Sequence, residues 1–142
     1  MFAVKKIKSS ARKRRISRLF ARLTSSGKAC GKSGFLVWKQ IFFGWLQATV
    51  YVYEDNYEIQ GFIGMNSEYI EGIFISEAMQ SQGIGKILLN YVKDIRSKLL
   101  LNVYQKNIPA ISFYQREGFE IQYSGMDEAT GEKDYVMVWQ QK

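Results

Sequence analysis

Ile84, Ile87, Leu88, Tyr91, Val92 and Ile95 recur at i, i+3, i+4, i+7, i+8 and i+11, a spacing that predicts a helix with one apolar face. Tyr69–Ile75, upstream, is a short run of mostly apolar residues and is predicted to be a buried strand. Between them lies Gln80-Ser81-Gln82-Gly83-Ile84-Gly85-Lys86, whose two glycines let backbone approach a ligand without an intervening Cβ. Strand, glycine loop and helix in that order form an anion site, because the unpaired N–H groups of the first helical turn point at whatever lies before it.

The same patterning predicts the neighbouring elements. Val50, Val52, Tyr51 and Tyr53 make a β-rich run, Asp55-Asn56 signals a turn, and Ile59 to Met65 resumes the run, which is an antiparallel hairpin. A further turn at Asn66-Ser67 leads into Tyr69–Ile75 and completes a three-stranded meander. Leu99 to Tyr104 is a short apolar strand, placed parallel to Tyr69–Ile75 by the intervening helix. From Asn107 to Gly118 an N-cap, an early proline at Pro109 and a terminal glycine bracket a short helix. Phe119–Tyr123 and Tyr135–Trp139 are the last strands, with Met126–Lys133 as the polar tip between them. The fold class is α/β: a mixed, mostly antiparallel sheet with two helices packed on it.

The first 48 residues read differently. Apolar positions from Val4 to Leu23 fit roughly on one helical face surrounded by nine basic residues, Thr24 to Gly34 reads as a loop, and Phe35 to Leu46 as a helix. Charge separates in the same way: residues 1–53 hold 12 Lys/Arg and no acid, residues 54–142 hold 8 Lys/Arg and 13 Asp/Glu, within a net charge of +7. The chain therefore divides into a basic segment, 1–48, and a core, 49–142. Residues 1–22 are either a solvated arm or a basic surface for RNA, an anionic membrane or an acidic partner.

Candidate chemistry is narrowed by composition. There is no His and a single cysteine, Cys30, so the usual zinc sites and His-dependent nucleophile triads are excluded, and a reducing, cytoplasmic setting is expected. The longest apolar stretch, Ile41 to Tyr53, is too short to span a bilayer.

Two motifs carry a resemblance. Gln80-x-x-Gly83-x-Gly85 matches the signature [Gln/Arg]-x-x-Gly-x-[Gly/Ala], and Asn107, Ala110, Phe113, Tyr114, Gly118 and Phe119 match Asn-x-x-Ala-x-x-Phe-Tyr-x-x-x-Gly-Phe. In this order and spacing they resemble the GCN5-related N-acetyltransferase (GNAT) superfamily over residues 49–142. Leu101–Phe119 is especially similar to small bacterial members, among them protein-lysine acetylating ones.

The resemblance implies a GNAT fold whose parallel strand pair splays at the cofactor. It implies acetyl-coenzyme A as co-substrate without a metal, its pyrophosphate on the amides of Gln82, Gly83, Ile84, Gly85 and Lys86, with Gln80 and Ser81 also binding the cofactor. Phe74 and Ile75 would pair with the pantetheine arm, and Asn107 and Ala110 would touch the cofactor, Asn107 also serving as an N-cap. Tyr114 is the expected general acid for the departing thiolate. Glu71 is the first candidate for the proton of the attacking amine, with Glu68 and Tyr69 less direct; Asn102 stands where some relatives carry Glu and cannot act as a base. The implied reaction is direct acetyl transfer to a primary amine, a protein lysine or N-terminus or a small molecule, by a monomer or homodimer.

Two alternatives stay open: a nucleic-acid-binding module on a non-catalytic fold, and an acetyl-coenzyme A sensor. The family's usual opening, a strand and two helices, is not matched in Met1–Ala48. A divergent acceptor-binding segment, an added basic arm and a start in another reading frame are the competing explanations.

Overall fold

The computed structural model describes residues 2–6, 49–76 and 79–142. Among these residues seven strands and two helices follow one another as β1 (Phe2–Lys6), β2 (Thr49–Asp55), β3 (Glu58–Asn66), β4 (Tyr69–Ile75), α1 (Ile84–Ile95), β5 (Lys98–Tyr104), α2 (Ile108–Arg116), β6 (Glu120–Met126) and β7 (Lys133–Gln140). They form one sheet in the order β1-β2-β3-β4-β5-β7-β6. All neighbours are antiparallel except β4 and β5.

The predicted meander, α1, β5 and α2 are present. Two readings change. Val4, Lys5 and Lys6 lie in an edge strand, not a helix: β1 pairs antiparallel with β2, and Lys5 sits 3.9 Å from Glu54. A lysine-bearing edge strand keeps one polar side in solvent and discourages further pairing, so its basic residues suit a strand as well as a helix. The polar tip before β7 is also shorter than expected, because Met126 and Lys133 pair and close the hairpin around Asp127–Glu132. The readings for residues 7–48 lie outside the described residues, including the remainder of the basic segment, the Thr24–Gly34 loop and the Phe35–Leu46 helix.

One core joins the layers. Ile84, Leu88, Leu89 and Val92 of α1 share one buried cluster with Ile63, Met65 and Ile70 of the meander and with Leu99, Leu101, Ile111, Phe119 and Met137. Leu88 is 0 % exposed at the centre of this face. Leu88→Ala removes its contacts and leaves a void, and is expected to cost about 2–5 kcal/mol, read as a lower urea midpoint with unchanged slope. Lys93, in the last turn of α1, ties the two helices together: its Nζ donates to the carbonyl of Glu117 and lies 5.3 Å from the centre of the Trp139 ring. Burial lowers its pKa below the ordinary lysine value.

The feature that positions the site is a gap. β4 and β5 share one register pair, Tyr69↔Leu100, beside which the Leu100 amide donates to the carbonyl of Glu68 at 3.0 Å. Beyond it the two strands part, as the resemblance implies. β4 also carries a bulge, since Gly64 faces Gly72 whereas Met65 faces Ile70, leaving Glu71 as an extra residue without a partner in the β3 register. Gly72 follows it because Phe74 folds back over this point: a Cβ on Gly72 would sit 2.7 Å from the Phe74 ring.

Candidate active site

Two cavities flank the gap and meet at one phenol. The first, about 680 Å3, is lined by Ile73 and Ile75 of β4, by Met79, Gln80, Ser81 and Gly83 of the loop, by the first turn of α1, and by Ala110, Phe113, Tyr114, Arg116 and Glu117. The second, about 380 Å3, is lined by Tyr69, Glu71, Gly72, Ile73 and Phe74 of β4, by Asn102, Val103 and Tyr104 of β5, and by Asn107, Ala110, Tyr114, Asp127 and Asp134. Ile73, Ala110 and Tyr114 belong to both.

The first cavity is built for an anion at one end. Ser81 and Gly83 take φ of 63° and 80°, which turns the chain so that Gly83 opens α1 without a side-chain cap. The first intrahelical bond is from the Ile87 amide to the Gly83 carbonyl at 3.1 Å, so the amides of Ile84, Gly85 and Lys86 precede the helical ladder. No acid lies in this turn to compete for them. Gly85 keeps the wall thin, since a Cβ there would meet Phe113 at 3.2 Å. Gln80 closes the other side, its amide nitrogen donating to the carbonyl of Ile75 at 3.3 Å.

Predicted residues are divided between the cavities. Ile75, Gln80, Ser81, Gly83, Ile84, Gly85 and Lys86 line the first; Phe74 and Asn107 line the second; Gln82 lines neither. Asn107 is the N-cap of α2, its side-chain oxygen accepting from the Ala110 amide at 3.4 Å. Glu71, placed by the bulge, enters the second cavity.

Tyr114 stands at the junction, its ring packed edge-on against Phe113 and Phe119 at 5.2 and 5.5 Å between centres. Burial pushes its pKa up to about 12, and the nearby Tyr69 adds to the rise. Tyr69 is likewise pushed up to about 12, by burial first and by the negative charge of Glu71 next. Each phenol therefore keeps its proton at neutral pH and can act as a donor.

A group whose pKa is raised on folding stabilises the fold fully below its unfolded value and loses that contribution as pH rises through the folded value. Stability is accordingly expected to fall between pH 10 and about 12. Tyr114→Phe should flatten that fall in urea titrations at stepped pH. An unchanged slope would mean that the folded phenol ionises like a free one.

The second cavity joins Tyr69 and Asn102, named from the sequence, to Tyr104, Asp127 and Asp134, which motif reading did not single out. The Tyr69 hydroxyl donates to Asn102 Oδ1 at 3.1 Å, Asn102 Nδ2 donates to Asp134 Oδ2 at 3.0 Å, and the Tyr104 hydroxyl donates to Asp127 Oδ2 at 2.7 Å. That last bond holds the Asp127 carboxyl below the ordinary carboxylate range. Asp134 is 7 % exposed, the one buried charged residue among the described residues. The sequence signal for it is an acid on the same strand face as Val136 and Val138. With Glu71, Asp127 and Asp134 on its wall, the cavity suits a cationic or hydrogen-bond-donating guest. Among the described residues no group of acids, Cys or His could hold a metal, and no helix is long and apolar enough to cross a membrane.

Comparison with known proteins bears on the family and the fold. The chain is 36% identical over 93 residues to the peptidyl-lysine N-acetyltransferase YiaC of Escherichia coli K12, a match covering 65% of this chain and 64% of that protein. The chain thus spans a little under two thirds of that relative's length. Its fold is similar to the solution structure of apo YjaB from Escherichia coli (TM-score 0.78, 16% identity, 100% and 99% of the two chains). It is also similar to Arabidopsis thaliana Naa50 in complex with the bisubstrate analogue CoA-Ac-MVNAL (TM-score 0.73, 20% identity, 98% of each chain). Residues 47–121, more than half of the chain, match the acetyltransferase (GNAT) domain, and the protein belongs to that family.

Proposed function

We propose that the protein is an N-acetyltransferase that moves acetyl from acetyl-coenzyme A to lysine side chains of proteins by direct attack of the amine. The observation that carries this reading is that Tyr114 lines both cavities at the point where β4 and β5 part. A thioester entering from one side and an amine from the other would meet beside a neutral phenol.

The first cavity fits the donor. The amides of Ile84, Gly85 and Lys86 would take the pyrophosphate, and the β4 edge at Ile75, continuing to Phe74 on the second cavity, would accept the pantetheine arm as an added strand. Coenzyme A supplies the activated acetyl group when bound. Tyr114 then donates its proton to the departing sulfur, and Glu71 takes one from the amine directly or through water. The acidic second cavity and the lysine acetyltransferase relatives support lysine as the acceptor.

The test is a thiol-release assay with acetyl-coenzyme A against lysine peptides, peptides with free N-termini and small amines, with mass spectrometry of the products. Release with lysine peptides and initial-rate patterns of a ternary complex are expected. Release with small amines alone would overturn the acceptor, ping-pong kinetics the direct attack, and no release with any amine the enzyme reading.

A further inference from the structure

Glu71 can take a proton but does not explain why an amine would be held with its lone pair toward the thioester. The hydrogen-bond chain in the second cavity does. Tyr69 of β4, Asn102 of β5 and Asp134 of β7 lie on three adjacent strands, and their side chains bridge the gap that opens beside the single backbone pair of β4 and β5.

The direction of this chain is set at its buried end. An ionised carboxylate only accepts hydrogen bonds, whereas a side-chain amide can present either end. Asp134 therefore admits Asn102 only with Nδ2 toward it, at 3.0 Å. Oδ1 must then face Tyr69, and a carbonyl oxygen there requires the phenol to donate, as it does at 3.1 Å. The phenol has one proton and it is committed. What Tyr69 offers the cavity is an oxygen lone pair, an acceptor for an N–H group. An amide transfers protons poorly, so the chain orients and does not relay.

Resting on the acetyltransferase reading, we propose that Asp134 is a positioning residue for the acceptor amine: it locks the Asn102 amide, which holds Tyr69 as a donor and turns the Tyr69 oxygen into a docking point for an N–H of the amine. The amine nitrogen held this way keeps its remaining bonds free to shed a proton to Glu71 and to form the new bond to the acetyl carbon. Neither Asp134 nor Asn102 needs to touch the reacting atoms.

The test uses four full-length proteins: wild type, Asp134→Asn, Asn102→Asp and the double exchange, each with a lysine peptide and acetyl-coenzyme A. Asp134→Asn frees the amide to turn, and KM for the peptide should rise about tenfold with kcat and KM for acetyl-coenzyme A little changed. Asn102→Asp sets two carboxylates against each other and should be worse. The double exchange puts a carboxylate beside Tyr69 and an amide behind it, which restores the direction of the chain; KM should return to within about threefold of wild type. Losses that add in the double exchange, or that fall equally on both substrates, would overturn the proposal.

A second readout does not depend on turnover. In the wild type, one Asn102 side-chain N–H proton resonance should lie downfield, and Asp134→Asn should remove that shift. A wild type that acetylates no amine would sink the enzyme reading alone. An Asn102 resonance indifferent to Asp134 would sink this inference alone.

Discussion

Replacing Tyr114 with phenylalanine should lower kcat by about 100- to 1,000-fold, the range of a lost general acid, while acetyl-coenzyme A binds within about twofold of wild type. The ring packs against Phe113 and Phe119 through its faces and edges, and phenylalanine preserves both contacts. Only the hydroxyl is removed from the junction of the cavities. A pKa near 12 means that this hydroxyl is protonated throughout the working pH range, so no alkaline limb from its ionisation should appear below about pH 11 in the wild type. Calorimetry with acetyl-coenzyme A and single-turnover rates separate the two effects. Turnover unchanged in Tyr114→Phe would remove the phenol from the chemistry; loss of cofactor binding would make it a wall of the donor cavity instead.

Gly83→Val should raise the dissociation constant for acetyl-coenzyme A by about 30-fold or more, equivalent to about 2 kcal/mol. Gly83 sits at φ 80° as the N-cap of α1, and a Cβ built there meets, among the described residues beyond its chain neighbours, no atom within 4 Å. A side chain at this position therefore projects into open space on the wall of the donor cavity, beside the amides proposed to hold pyrophosphate. It also carries a left-handed backbone penalty of about 1–2 kcal/mol. Gly131 is the control. It too has positive φ, at 72°, and open space around it, but it lies at the tip of the β6–β7 hairpin and lines neither cavity. Gly131→Val should lose similar stability and leave cofactor affinity intact. Equal affinity losses in both variants would trace the effect to the fold and not to the cavity.

The half of this site around the glycine loop is legible in one dimension because its parts are consecutive. Tyr69–Ile75 and Ile84–Ile95 occur at the positions that periodicity predicts, and the glycine loop between them can only connect the end of one to the start of the other. The N-cap at Asn107 is equally local. The half around the second cavity is not local. Tyr69 and Asn102 are 33 positions apart and Asn102 and Asp134 are 32, and they meet because of strand register, which composition does not reveal. The bulge at Glu71 is hidden for a related reason: β4 is apolar on both faces, so a shift of one residue leaves no break in its pattern. The misread of Val4–Lys6 follows from length, since five residues are too few for alternation to be told from a helical stripe.

The sparse contact between β4 and β5 has a mechanical consequence. Most sheets are stiff because every strand is laced to the next; here β1–β4 and β5–β7 are two panels fastened at one end by the Tyr69–Leu100 pair and, in side chains, by the Tyr69–Asn102 bond. A guest that laces the open margin of β4 supplies the missing stitches. Filling the seam would then brace the two panels against each other, so that the loaded protein resists heat and amide exchange along this line better than the empty one. Rigidity would arrive with the substrate at the place where rigidity serves the reaction.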